Sequence, residues 1–161
     1  MTPPPRPAEN LFLPTRLATP ADLAAILALA QSAPTAAHWS TDQHRAALSD
    51  PSRLTLIIEE NSQAVGFLIA RAIDAEWELE NIVVAPHAQR RGLGTQLLNE
   101  FLNFARARDA QSIFLEVRES NLPARCLYET HGFARSGRRK NYYYSPAEDA
   151  IVYRLILSEP A

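Results

Sequence analysis

The residues whose chemistry is clearest in this sequence form a short loop, Gln-Arg-Arg-Gly-Leu-Gly at positions 89–94. Two arginines can bind an anion, and glycines one residue apart allow a ligand to approach the backbone closely. Apolar residues then recur at helical spacing. The loop should therefore open a helix over 92 to about 108, whose free N–H groups and positive dipole end attract a diphosphate. The side chains predicted to face the core are Leu93, Leu97, Leu98, Phe101, Leu102 and Ala105.

Two stronger phosphate motifs are excluded by the same stretch. No Gly-Lys-Ser/Thr follows the loop, as a P-loop requires, and Leu97 stands where the third glycine of a dinucleotide fingerprint would be. An ordinary arginine-rich helix start therefore remains the alternative to a phosphate site.

The segment before the loop has a broken strand pattern. Trp77 and Leu79 alternate with glutamates, and the phase then slips by one residue so that Ile82 and Val84 are apolar. Such a slip in a period-two pattern predicts a β-bulge, which turns a strand away from its neighbour and leaves backbone groups unpaired. An extended ligand could pair with that edge. The alternative is a strand that is buried on both faces at its end.

Two further residues could perform acid–base chemistry. Glu116 is a carboxylate in the mostly apolar strand predicted over 112–118, and a buried carboxylate there would suit a general base. Tyr128 falls in the next predicted helix, where its phenol could donate a proton to a leaving group. The alternatives are a surface or arginine-paired glutamate, and a core tyrosine whose hydroxyl is satisfied.

Other residues carry weaker signals. Trp39 lies between two predicted helices and is either a packing plug or part of a substrate entrance. The basic and aromatic stretch 138–144, with Tyr142 and Tyr143, favours a solvated hairpin or a peptide-recognition loop over an RNA surface. No histidine has a spacing that would activate Cys126, and the four histidines share no metal-ligand spacing, so we expect neither a thiol nucleophile nor a metal.

Composition indicates an ordinary globular protein. The chain has 161 residues, 47% of them hydrophobic and 21% charged, which is enough for one domain with a real core. A formal net charge of −2 gives no broad field for nucleic acid or membrane. One cysteine excludes an internal disulfide, and no apolar run is long enough to span a bilayer. We therefore expect a cytoplasmic protein.

Periodicity predicts a proline-rich flexible tail over 1–12 and a single domain over 13–161. The expected order is β-α-α-β-β-β-α-β-α-β-β, with the last two strands at about 133–139 and 149–157 flanking a loop at 140–148. This is an α/β (α+β) fold with a mixed, mostly antiparallel central sheet of about seven strands and about four helices.

These features resemble the GNAT superfamily of N-acetyltransferases over nearly the whole chain after the tail. The resemblance rests on the loop at 89–94, the helix end Tyr-Glu-Thr-His-Gly-Phe at 128–133 and the strand order. More specific motifs resemble the bacterial ribosomal-protein alanine N-acetyltransferases of the RimI type. They are Leu-Glu-Val-Arg at 115–118, Ser-Asn at 120–121, Leu-Tyr at 127–128, Arg-Arg-Lys-Asn-Tyr-Tyr at 138–143 and Glu-Asp-Ala at 148–150.

The resemblance implies a role for each matching position. Glu116 would be the general base and Tyr128 the general acid, and the walls of the acceptor site would include Trp39, Tyr142 and Tyr143. The remaining positions would bind acetyl-coenzyme A (acetyl-CoA): Ile82, Val83 and Val84 along the pantetheine and thioester, Arg90, Arg91, Gly92, Leu93, Gly94 and Thr95 at the diphosphate, and Asn121 at the pantetheine. Thr95 departs from the basic residue that many relatives carry, and the 140–148 loop is short.

The implied reaction moves an acetyl group from acetyl-CoA to the N-terminal α-amino group of a protein, a small-subunit ribosomal protein with an N-terminal alanine. Acetylation of lysine or of a small amine by the same apparatus is an alternative, and so is a non-catalytic acetyl-CoA-binding module. The implied partners are acetyl-CoA and an N-terminal peptide, without metal, DNA or membrane. We expect a monomer or a weak dimer.

Overall fold

The computed structural model describes residues 12–33 and 37–158. The segment predicted as a flexible tail therefore lies, apart from Phe12, outside the described residues. No helix in these ranges is long and apolar enough to cross a membrane.

The described elements follow the predicted order, and two short 3-10 turns at Pro20–Asp22 and Pro86–Ala88 are added to it. The helices are α1 (Leu23–Ser32), α2 (Thr41–Ser49), α3 (Leu93–Ala107) and α4 (Leu122–Thr130). The strands are β1 (Thr15–Leu17), β2 (Arg53–Glu60), β3 (Gln63–Ile73), β4 (Glu76–Val84), β5 (Ser112–Arg118), β6 (Ala134–Tyr144) and β7 (Ala147–Ile156).

The strands form one seven-stranded sheet in the order β1-β2-β3-β4-β5-β7-β6. Only β4 and β5 run parallel; the other neighbours are antiparallel. Their pairing covers just the start of each strand, ending where Glu78 lies opposite Phe114. Beyond that point the two strands separate, so a gap opens in the middle of the sheet.

The predicted β-bulge is confirmed in β4. Its pairing with β3 passes from Leu79 opposite Ala70 to Asn81 opposite Ile69, which leaves Glu80 as the extra residue. The bulge shifts the in-and-out alternation of the strand by one residue. A side chain before the bulge and one after it therefore point to the same face of the sheet when their positions differ by an odd number. The broken alternation in the sequence therefore has the physical cause that was inferred for it.

One face of the sheet carries α3 and α4. The ring of Trp77 on β4 lies 5.9 Å from that of Phe101 on α3, measured between centroids. Pairing between β4 and β5 extends this face to Leu115, which lies opposite Tyr153 on β7. Tyr153 is in turn 6.2 Å from Tyr128 on α4. We call this the α3/α4 face.

The opposite face, the α1/α2 face, carries the first two helices. His44 on α2 packs edge-on against Phe67 of β3, with ring centroids 6.2 Å apart. Side chains alternate along a strand, so Glu116 points to this face while its neighbour Leu115 points to the other. The two proposed acid–base residues therefore approach the gap from opposite sides of the sheet.

The core confirms the predicted face of α3, because the six side chains expected to point inward are all buried. Gly66 on β3 lets this packing close up, since a Cβ there would lie 2.8 Å from the carbonyl oxygen of Val83 and 3.4 Å from Leu97. Only glycine fits where β3, β4 and α3 meet this closely.

The predicted loop over 140–148 is wrong. Strand β6 continues to Tyr144, and only Ser145 and Pro146 connect it to β7. A shift in register between Arg139 and Tyr143, with Asn141 at a φ of 51°, absorbs the residues that suggested a loop. Consecutive tyrosines favour strands, and this preference together with pairing to β7 outweighs the polar residues before them.

Candidate active site

The separation of β4 and β5 leaves a cavity of about 100 Å³, which we call the β4–β5 cleft. The polar side chains that line it are Glu80, Asn81, Glu116, Arg118, Asn121, Tyr128 and Tyr143. A larger cavity of about 260 Å³ lies between the end of α2 and the end of α3, but no carboxylate or tyrosine lines it. The groups suited to acid–base chemistry therefore meet in the β4–β5 cleft.

Glu116 reaches the cleft from the α1/α2 face, and only 10% of its side chain is exposed. Its Oε1 atom lies 3.0 Å from Nε of Arg139 on the edge strand β6. The carboxylate of Glu116 beside the phenol of Tyr142, together with burial, raises the pKa of Tyr142 to about 12. Glu116 is thus both arginine-paired and a cleft residue, two conditions that the sequence presented as alternatives.

Tyr128 reaches the cleft from the α3/α4 face. It is 5% exposed, and its ring packs 5.7 Å from Phe133. The residue lines the cleft, and no hydrogen bond joins its hydroxyl to another described residue. Burial, followed by the nearby Tyr143, raises the pKa of Tyr128 well above its usual value, which keeps the phenol protonated and able to donate.

The end of β4 presents an unpaired backbone edge to the gap. The N–H of Ala85 donates to the carbonyl of Val65 at 2.8 Å, so residues one position away direct their backbone groups to the other side. The backbone N–H and C=O groups of Ile82 and Val84 therefore point toward the gap, where the pairing of β4 with β5 has ended. The side chain of Gln89 donates to the Val84 carbonyl at 3.1 Å. Val83, in contrast, directs its backbone groups at β3.

The start of α3 lies beside this edge. Gly92 is the N-cap at a φ of 79°, a left-handed conformation that glycine adopts without strain, and a Cβ there would have nothing within 4 Å. The N–H groups of Leu93, Gly94 and Thr95 precede the first intrahelical bond, which Gln96 donates to the Gly92 carbonyl at 3.0 Å. This arrangement leaves three donors for an anion.

The two loop arginines differ. Arg91 forms an ion pair with Glu60 at the end of β2, with Nη1 3.1 Å from Oε1. Arg90 is exposed and has a φ of 62°. Arg91 is therefore held in place by β2, and Arg90 projects from the loop.

Asn121 is the N-cap of α4. Its side-chain oxygen accepts a hydrogen bond from the Ala124 N–H at 3.3 Å, and the residue also lines the cleft. The cap satisfies one helix donor and fixes the side chain at the mouth of the gap.

The turn between β6 and β7 is tied to the cleft by a buried arginine. Arg118 is 7% exposed and donates to the carbonyls of Pro146 and Ser145 at 3.0 and 3.3 Å. Its Cζ atom lies 4.2 Å from the ring centroid of Tyr143. Burial, with the charge of Glu116, raises the pKa of Tyr143 to about 12. Tyr143 thus lines the cleft, and Tyr142 lies beside it, near Glu116.

Trp39 is partly buried and packs against the core. Its ring lies 5.2 Å from His44 and 5.6 Å from Cζ of Arg53, and it is not among the residues that line the cleft. It touches the site only indirectly, because Arg53 in turn holds Glu80.

Sequence reasoning missed four side chains at this site: Glu80, Asn81, Arg118 and Arg139. The bulge pattern contained a signal for two of them, since Glu80 and Asn81 sit at the point where the alternation breaks. The ion pair of Arg139 and the hydrogen bonds of Arg118 join strands that are distant in the chain, and no local pattern encodes them. The described ranges contain no group of three or more His, Cys, Asp or Glu side chains that could hold a metal ion.

Comparison with known proteins gives the class to which this fold and cleft belong. The model of the Acetyltransferase (GNAT) family matches residues 22–133. The chain belongs to this family, and its activity class is therefore acetyl transfer.

Individual relatives are more specific. The chain is 41% identical, over 102 residues, to the [ribosomal protein bS18]-alanine N-acetyltransferase of Haemophilus influenzae, covering 62% of this chain and 69% of that protein. It is 30% identical, over 122 residues, to a putative enzyme of the same name from Bacillus subtilis, covering 75% and 81%. The crystal structure of the ribosomal-protein-alanine N-acetyltransferase of Escherichia coli matches with a TM-score of 0.85 at 32% identity, covering 92% of this chain and 96% of that one.

Proposed function

We propose that this protein acetylates the N-terminal α-amino group of a protein, specifically the N-terminal alanine of ribosomal protein bS18. The acceptor is inferred from the names of the relatives in Haemophilus influenzae and Escherichia coli. The observation that carries the chemistry is that Glu116 and Tyr128 enter one cleft from opposite faces of the sheet, beside an unpaired strand edge.

The strand edge and the start of α3 fit the acetyl donor. Acetyl-CoA supplies an activated thioester on a long arm that ends in a diphosphate. Ile82 and Val84 offer outward backbone groups to the arm, and Asn121 offers its side chain. The first-turn N–H groups of α3 suit the diphosphate, with Arg90 and Thr95 exposed beside them.

The proton transfers are assigned to Glu116 and Tyr128. Glu116 takes one proton from the acceptor ammonium and releases it to solvent, and the neutral amine then attacks the thioester carbonyl. As the C–N bond forms, the nitrogen gives its remaining extra proton to the freed Glu116 carboxylate. The N–H of Val84 stabilises the oxyanion that develops. Tyr128, whose raised pKa keeps it protonated, gives its proton to the departing thiolate. No covalent intermediate with the protein is needed.

The free energy needed to deprotonate the acceptor amine supports an α-amino group over lysine. An α-amino group with a pKa of about 7.8 is about a quarter neutral near pH 7.4, whereas lysine at about 10.4 is neutral in about one part per thousand. The difference is about 3.5 kcal/mol. One carboxylate base is therefore better matched to an N-terminus than to lysine, which is the alternative acceptor within the family.

The test is mass spectrometry of the small-subunit ribosomal proteins from a strain that lacks this gene. We expect the N-terminal alanine of bS18 to lose its acetyl group, and to regain it when the wild-type gene, but not its Glu116→Gln variant, is restored. An N-terminus that stays acetylated in the deletion strain would refute the proposed acceptor. Loss of acetylation from internal lysines instead would support the alternative.

A further inference from the structure

Glu80 is the second carboxylate of the β4–β5 cleft, and neither the acid–base scheme nor the donor site uses it. As the extra residue of the β4 bulge, it has no partner on β3. Bulges commonly redirect a side chain next to a functional site. Glu80 lines the cleft, and only 9% of its side chain is exposed.

A forked contact fixes the orientation of Glu80. Arg53 on β2 donates from Nε to Oε2 at 2.9 Å and from Nη2 to Oε1 at 3.1 Å. Arg53 is itself held by Asp50, 2.9 Å from its Nη1 atom, and by the ring of Trp39. A carboxylate has about four acceptor positions, and this fork occupies two of them. Glu80 therefore retains acceptor capacity toward the cleft.

The two cleft carboxylates are held differently. Arg53 grips Glu80 with two nitrogens, and its side chain is 20% exposed. Arg139 meets Glu116 with a single nitrogen, and its side chain is 58% exposed. The looser partner suits a group that must exchange a proton, and the tighter partner suits a fixed anionic contact.

Next to Glu80 in the chain, Asn81 carries an unpaired donor. Asn81 lines the cleft and is 6% exposed, and its Nδ2 atom is buried without a hydrogen bond. A buried donor left unpaired is unfavourable, so most buried donors in folded proteins have a partner. The carboxylates of Glu80 and Glu116 line the same cleft, and burial, followed by their charges, raises the pKa of Glu78 against the opposing charges of Arg71 and Arg53. A cationic ligand with its own acceptor atoms would satisfy both features.

We propose that Glu80 binds the charged α-ammonium group of the acceptor and so selects acceptors that carry a free N-terminus. This inference rests on the proposed function. About three quarters of such acceptors arrive protonated at neutral pH, so an anionic docking point increases their occupancy before Glu116 removes the proton. Glu80 is then a specificity-determining residue, distinct in role from Glu116.

The test compares an alanine-led peptide with its desamino analogue, in which a propionyl group replaces the alanine. Affinities of both for the wild type and for Glu80→Gln are measured by calorimetry with coenzyme A present. We expect the wild type to prefer the amino peptide by about tenfold, the size of one charge-assisted contact, and Glu80→Gln to lose that preference. The KM for the peptide should rise while the KM for acetyl-CoA stays unchanged.

Glu76→Gln is the matched control. Glu76 lies on the same strand and pairs with Arg154, so this change removes the same charge and the same kind of ion pair at the far end of β4. It should retain the preference. If Glu80→Gln keeps the tenfold preference, or weakens both peptides equally, the inference is wrong. If Glu80→Gln does not fold, the double variant Arg53→Gln/Glu80→Gln, which leaves neither charge without its partner, is measured instead, and an undiminished preference there would equally overturn it.

Failure of the proposed function has a different signature. If the wild type releases no coenzyme A thiol with the alanine-led peptide, the function is wrong and Glu80 has no acceptor to select. If the wild type is active and Glu80→Gln prefers the amino peptide over its desamino analogue as strongly as the wild type does, only the role of Glu80 is wrong.

Discussion

Arg139 reaches from the edge strand β6 across β7 to Glu116 on β5, so the proposed base is paired by a residue two strands away. The arginine is more than half exposed and uses one nitrogen. Ion pairs of this kind are worth about 0–1 kcal/mol, so an entering acceptor can displace the arginine at little cost. Glu116 is therefore positioned by its strand, and Arg139 is a partner that it can exchange.

Replacing Glu116 by Gln should lower kcat by about 10²–10⁴, because that is the usual contribution of a general base. The dissociation constant of acetyl-CoA, measured by calorimetry, should stay nearly unchanged, since Glu116 reaches the cleft from the α1/α2 face, opposite the helix α3 whose start is proposed to bind the diphosphate. Arg139→Gln removes the partner but keeps the carboxylate, so it is the control and should remain within a few-fold of wild type. Turnover at the wild-type rate by Glu116→Gln would remove this residue from the mechanism.

Replacing Tyr128 by Phe should also lower kcat strongly without weakening acetyl-CoA binding, because the phenol is proposed to act only on the leaving thiolate. Its hydroxyl has no hydrogen bond with the described part of the chain, so the thermal midpoint should change little. Steady-state kinetics and a melting curve on the same sample separate the two effects. An unchanged kcat would mean that another group protonates the thiolate.

Replacing Gly92 by Glu should weaken acetyl-CoA binding, because it places an anion at the start of α3. The φ of 79° also disfavours any side chain, by about 1–2 kcal/mol. Gly92→Gln has the same size and the same strain without the charge. The difference in calorimetric affinity between the two variants therefore measures the charge effect alone, and equal affinities would contradict a diphosphate at this site.

The pKa of Tyr143 predicts how stability changes in alkali. It is about 12 in the folded protein and about 10 when unfolded, so the folded state holds the proton more tightly. This contribution is fully present below about pH 10 and is lost as the pH rises toward 12. The urea midpoint of wild type should therefore fall between about pH 10 and 12, and that of Tyr143→Phe should fall less steeply. Parallel curves would show that Tyr143 titrates normally.

The spacing of apolar residues along the sequence predicted those features of the fold that a short stretch of chain determines. The buried face of α3 and the bulge at Glu80 follow from the spacing of apolar residues within a few turns or a few strand positions. The length of β6 was not predicted, because its pairing with β7 determines where the strand ends. The ion pairs of Glu80 with Arg53 and of Glu116 with Arg139 depend on which strands lie side by side, and neighbouring residues do not encode that.

The resemblance to a known family supplied roles that the residues alone left open. The structure brings Glu116, Tyr128, Asn121 and Tyr143 to one cleft, and it leaves Trp39 outside the lining. Tyr142 lies beside the site, near Glu116. A tryptophan in a loop cannot be assigned to packing or to binding from sequence, because both uses favour the same residue.

The most direct test of the account is a thiol-release assay with two peptides of the same sequence, each led by alanine and containing one internal lysine. One has a free N-terminus and the other has its N-terminus blocked. We predict that acetyl-CoA and the free peptide release coenzyme A thiol, with mass spectrometry placing the acetyl group on the N-terminal amine, and that the blocked peptide releases none. Equal or faster release with the blocked peptide, or no release with either, would contradict N-terminal acetylation.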